Sequence, residues 1–150
     1  MTDWPILSTI TFLPLLGAAF ILLIRGDEAT IARNSRHVAL WTTLVTFALS
    51  VLLIFSFDTT TAAFQFEEYT PWLPEYDIGY HLGVDGISVF FLLLTTFLVP
   101  ICIISCWDAI KTRVREYMLA FLILETLMVG VFSSLDMLMF YIFFEGQLIP

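Results

Sequence analysis

Two carboxylates interrupt long apolar runs: Glu125 in Phe121-Leu122-Ile123-Leu124-Glu125-Thr126-Leu127-Met128, and Glu145 in Phe140-Tyr141-Ile142-Phe143-Phe144-Glu145-Gly146. A charge near the centre of a bilayer costs ~2.5–3.5 kcal/mol on insertion scales, so such a group faces a polar interior, a partner or water. No Lys or Arg shares these runs. Desolvation and mutual repulsion therefore both act against the charged forms, which makes the two acids candidate proton carriers, Glu145 for proton transfer and Glu125 as a relay. Gly146 removes a side chain beside Glu145, and Pro150 has no N–H to give the Gly146 carbonyl, which predicts a free acceptor next to the acid. A protonated glutamate that merely bonds one helix to another is the competing reading, and it weighs more on Glu125, which has no helix-opening neighbour.

Other reactive side chains form no constellation. Cys102 and Cys106 are four residues apart on one apolar run, where small apolar packing explains them. His37 and His81 stand alone without metal-ligand spacing, and no Ser, His and Asp are arranged for nucleophilic catalysis. The glycines around 79–86 do not make a dinucleotide fingerprint. Asp85, ahead of Gly86-Ile87-Ser88, reads as the acidic start of a helix.

The elements that carry these acids must be membrane helices. Of 150 residues, 59% are hydrophobic and 13% charged, with a mean hydropathy of +0.93, whereas soluble domains carry about 25% charge. The net charge of −8, from 6 basic and 14 acidic residues, excludes a nucleic-acid partner. Stretches of about 20 apolar residues, the length a ~30 Å hydrocarbon core requires, predict helices at 6–24, 39–57, 87–107 and 117–132, with a fifth, truncated one at 137–150. The chain reads as an all-α polytopic membrane protein whose first helix is retained, since Asp3 replaces the basic start of a signal peptide. Each buried acid lies ~12 Å from the nearer end of its span, from opposite sides, which predicts that both approach the midplane.

All six cations fall in alternate connections: Arg25, Arg33 and Arg36 in one, Lys111, Arg113 and Arg115 in the other. The segment 58–86 carries acids and no cation. By the positive-inside rule the N-terminus and 58–86 are outside. Trp4, Trp41 and Trp107 sit near predicted helix ends and Trp72 in the outer segment, as interfacial aromatics do. Pro71, Pro74, Gly79 and Gly83 give that segment turn chemistry, with a hairpin expected.

Two runs carry a family likeness: Leu82-Gly83-Val84-Asp85-Gly86-Ile87-Ser88 before the third helix, and Ser134-Leu135-Asp136-Met137 through Phe143-Phe144-Glu145-Gly146-Gln147-Leu148-Ile149-Pro150. With them the chain resembles the N-terminal part of the antiporter-like subunits called chain M in bacteria and chain 4 in mitochondria, of NADH:quinone oxidoreductase (complex I). The resemblance implies a fold of about fourteen helices with two inverted repeats, of which residues 1–116 hold three leading helices and 117–150 open the first repeat. It implies that Glu145 is the functional glutamate of a proton half-channel, paired with a lysine on a later helix of the same chain. It also implies that cofactors sit in other subunits and none in this chain. The implied partners are the other membrane-arm subunits, sister antiporter-like chains among them, and the lipid bilayer. A bacterial inner membrane fits the basic loops and long acidic segment better than the mitochondrial inner membrane. Two other functions compete: a subunit of a multisubunit sodium/proton antiporter, and a structural scaffold in which both acids are interhelical glue.

Overall fold

The structure is a computed structural model that describes residues 4–150. Asp3, which argued against a signal peptide, lies outside the described residues.

Five helices and one hairpin follow in chain order: α1 (Ile6–Leu23), α2 (Glu28–Phe55), β1 (Gln65–Leu73), β2 (Ile78–Val84), α3 (Ser88–Ser105), α4 (Val114–Ser133) and α5 (Met137–Gly146). The first four helices are long and apolar enough to cross a membrane, and α5, with 10 residues, is shorter. α2 and α4 pack against each other and both touch α1 and α3, so the four long helices form a bundle with α5 laid on α4.

The chain chemistry accounts for most boundaries. Asp85 Oδ1 accepts the Ser88 and Ile87 N–H groups at 2.7 and 3.1 Å, and Ser88 Oγ accepts the Asp85 N–H at 2.9 Å. This reciprocal pair starts α3, as the sequence suggests. Asp136 does the same for α5 by accepting from Leu138 and Met139. α2 corrects the expected boundary, beginning at Glu28 rather than near residue 39. Asp27 caps it through Thr30 and Glu28 adds an acid in the first turn, so a polar, helix-favouring segment extends an apolar one. The expected basic loop is therefore mostly helix. α5 is corrected in the other direction, because it ends at Gly146 and Pro150 lies beyond it.

The 58–86 segment forms the expected hairpin. β1 and β2 pair antiparallel, with Thr70 opposite Tyr80 and Gln65 opposite Val84, joined by a 3₁₀ turn at Pro74–Tyr76 that closes on Asp77 in the left-handed conformation. The hairpin is tied to the N-terminus of α1. Glu68 accepts the Leu7 N–H at 2.7 Å and the Ser8 N–H at 3.1 Å, and also bonds the Ser8 hydroxyl, which meets the Tyr80 hydroxyl at 2.6 Å. Leu135 donates its N–H to the His81 carbonyl at 2.9 Å, which anchors the α4–α5 connection to the same hairpin.

Packing follows membrane rules, in which close approach of small residues replaces the hydrophobic drive. A Cβ on Gly17 of α1 would come within 2.6 Å of Thr42 of α2, and one on Gly130 of α4 within 2.5 Å of the Phe143 ring of α5. Two apolar clusters hold the bundle. The hairpin end contains Ile10, Leu53, Leu92 and Val129, and the opposite end contains Ala18, Ala39, Val99 and Leu122.

Candidate functional site

Between the two apolar clusters every long helix presents buried polar side chains. α1 offers Thr11, α2 offers Thr43, Thr46 and Ser50, α3 offers Thr95 and Thr96, and α4 offers Glu125 and Thr126. The sequence intervals fit: on α4 these residues fall between Leu122 and Val129, and on α3 between Leu92 and Val99. A polar layer thus crosses the middle of the bundle, capped by hydrocarbon at both ends.

Glu125 belongs to the α4 stripe Met118, Leu122, Glu125, Val129 and Ser133, whose three- and four-residue steps keep one face of a helix turned inward. Its exposure is 0%. Neither Oε1 nor Oε2 has a hydrogen-bond partner among the described residues, and the same holds for Thr126 Oγ1. An unsatisfied buried polar atom costs ~1–3 kcal/mol, more when it is charged, so these three atoms require a partner that the described residues do not supply.

The other hydroxyls of the layer bond carbonyls of their own helices. Thr11 bonds the Leu7 carbonyl at 2.8 Å, Thr46 that of Thr42 at 2.9 Å and Thr95 that of Phe91 at 2.9 Å. Ser50 and Thr96 also reach their own helix carbonyls and meet each other at 2.7 Å across the α2–α3 contact. Each spent donor leaves lone pairs, so the layer is rich in acceptors. Sequence reading did not single out these hydroxyls, although the spacing of Thr43, Thr46 and Ser50 along one face was a signal that could have found them.

Glu145 occupies a different environment. Phe143 is buried against α4, whereas Glu145, two residues on and ~200° round the helix, is exposed. The two acids therefore do not share one buried environment: Glu125 is enclosed by the leading helices and Glu145 lies on an exposed face. The expected free acceptor beside Glu145 is also absent, because the Ile149 N–H bonds the Gly146 carbonyl at 3.2 Å. Gly146 instead allows close packing, since a Cβ there would lie 3.0 Å from Leu127.

Cys102 and Cys106 are free thiols. His81 meets Glu67 at 3.1 Å on the hairpin, and His37 packs edge-on against Trp107. Among the described residues no group of three His, Cys, Asp or Glu is placed to hold a metal ion. Arg36 and Arg115 donate to the carbonyls of Ile110 and Leu22, at the end of the bundle away from the hairpin.

Residues 29–133 match the family described as NADH-ubiquinone oxidoreductase chain 4, amino terminus. The chain is 51% identical over 146 residues to NADH-quinone oxidoreductase subunit M of Rhodobacter capsulatus, an alignment that covers 97% of this chain and 28% of that protein. It is 46% identical over 144 residues to NADH-ubiquinone oxidoreductase chain 4 of Marchantia polymorpha, with 96% and 28% covered. A chain in the solved structure "Respiratory complex I from Thermus thermophilus with bound NADH" superposes with a TM-score of 0.72 and 26% identity, covering 96% of this chain and 27% of that one. The chain spans little more than a quarter of the length of these relatives.

Proposed function

Because this chain belongs to the NADH-ubiquinone oxidoreductase chain 4 family, we propose that it is the leading part of a membrane-arm subunit that moves protons while NADH and quinone react in other subunits. One observation carries the reading: a carboxylic acid with no exposed surface and no described partner sits among span-long helices. As interhelical glue, Glu125 would bond a neighbouring helix, and its oxygens bond none among the described residues. Glu145 is the proposed transfer group. Its exposed face is turned away from the leading bundle, so an ammonium on a further helix of the same chain could approach it. An approaching ammonium favours the anion and its withdrawal favours the neutral acid, so displacement of one charge moves a proton on the other.

The same reading places the hairpin outside, because the basic residues Lys111, Arg113 and Arg115 gather with Gly26 and Glu28 around one groove at the opposite end. Its partners are the other subunits of such an assembly and the bilayer, and its membrane is the bacterial inner membrane. The test is NADH-driven ion movement by the assembled complex in sealed vesicles. Proton uptake that persists without sodium supports the proposal, and transport that follows sodium instead favours the sodium/proton antiporter reading.

A further inference from the structure

We propose that the groove between the end of α1 and the start of α4 binds the phosphodiester headgroup of an anionic phospholipid, with one acyl chain laid along α4. The site requires only that these helices span a bilayer and is independent of how the chain moves protons.

The first support is charge. The groove holds about 430 Å³ and is lined by Lys111, Arg113 and Arg115, half of the chain's 6 basic residues, together with Glu28 and Glu116. Arg113 pairs with Glu116 at 2.5 Å, which neutralises both. Lys111, Arg115 and Glu28 make no ion pair among the described residues. Two cations and one acid leave a positive charge uncompensated. Arg115 spends one N–H on the Leu22 carbonyl and keeps the rest of its fork. A monoanionic phosphodiester balances that charge, and a headgroup hydroxyl can donate to Glu28. Zwitterionic phosphocholine supplies neither the charge nor the donor.

The second support is depth. α1 rises ~27 Å over its 18 residues, nearly the ~30 Å of a hydrocarbon core. The residues after Leu23 and before Val114 therefore reach the headgroups, where basic pockets between helices take anionic lipid. The third support is the wall below. Four-residue steps from Glu116 through Ala120 to Leu124 keep to one face of α4. On that face Tyr117, Ala120, Phe121, Leu124 and Pro150 line a second, apolar groove of about 200 Å³. Cationic above and apolar below is the order that a lipid needs and a soluble phosphate does not.

The test is photolabelling of the full-length subunit in its assembled, delipidated complex, using phosphatidylglycerol with a diazirine in one acyl chain. Label is expected on the peptide from Tyr117 to Leu124. Unlabelled phosphatidylglycerol is expected to compete it away, whereas phosphatidylcholine and inorganic phosphate do not. Lys111 is exposed, so its variants are expected to assemble. Lys111→Gln should lower this labelling about fivefold, the factor one basic side chain is worth near an anionic surface, and Lys111→Arg should keep it. The proposal is overturned if the continuing chain fills the groove and leaves the peptide unlabelled, or if phosphatidylcholine competes equally. It is also overturned if inorganic phosphate displaces the lipid, or if Lys111→Gln labels like the parent. None of these outcomes bears on proton movement, so the two readings stand or fall separately.

Discussion

Glu125 and Glu145 stand back to back across the contact between α4 and α5. On α4 the residues that meet α5 are Leu127 and Gly130, ~200° and ~140° round the helix from Glu125. On α5 the residues that meet α4 are Phe143 and Gly146, and Glu145 is turned away from them. One acid therefore looks into the leading bundle and the other looks out from it.

The Gly130–Phe143 contact sets that arrangement. Gly130→Ala would drive a methyl into the Phe143 ring, an overpacking cost of ~1–3 kcal/mol. The expected outcome is loosened α5 packing and reduced thermal stability of the complex, relieved in the double variant Gly130→Ala with Phe143→Leu. A double variant as unstable as the sum of the two single ones would show that the contact is not the cause.

Glu68 fastens the hairpin to the start of α1 with bonds to two backbone N–H groups and one hydroxyl. Glu68→Ala should cost ~1–2 kcal/mol, the range for losing a helix cap, with Glu68→Gln in between. Proteolysis of the hairpin in sealed vesicles would follow the same rank. Equal protease resistance in all three would remove the carboxylate from this role.

Asp85 gives a pH signature. Its carboxyl is held below the ordinary value chiefly by the Ser88 backbone N–H, then by the Ser88 hydroxyl. A depressed folded value means the contribution is complete above the ordinary aspartate value of about 3.9 and is lost as pH falls through the folded one. Stability measured from pH 6 down to about pH 3 should fall less steeply in Asp85→Asn than in the parent. Identical slopes would show that the α3 start does not depend on this charge.

Much of this architecture was legible in the residues. Hydropathy located the four spans, the turn residues announced the hairpin, and the rarity of acids in apolar runs exposed Glu125 and Glu145. The start of α2 was not legible because a hydropathy window ends where Arg33, Arg36 and His37 begin, while helix capping at Asp27 continues the backbone beyond it. The facing of the acids depends on which neighbour each helix meets, and a glycine such as Gly130 reveals that only once Phe143 is seated on it. The hydroxyl layer escaped notice because serine and threonine barely disturb an apolar average.

Orientation has a direct check. A single cysteine at Glu67, on the hairpin, should react with a membrane-impermeant maleimide from the outer face of intact cells, with cysteine in place of Lys111 reacting only after the membrane is opened. The reverse pattern would invert the proposed topology.

The central claim is that Glu145 changes protonation during turnover, and it is tested most directly by the ratio of protons moved to NADH oxidised in vesicles carrying the assembled Glu145→Gln complex. Pumping and the coupled quinone reduction are both expected to fall sharply while the complex stays assembled, with part of the activity kept by Glu145→Asp. A normal rate and a normal ratio in the fully assembled Glu145→Gln complex would contradict it.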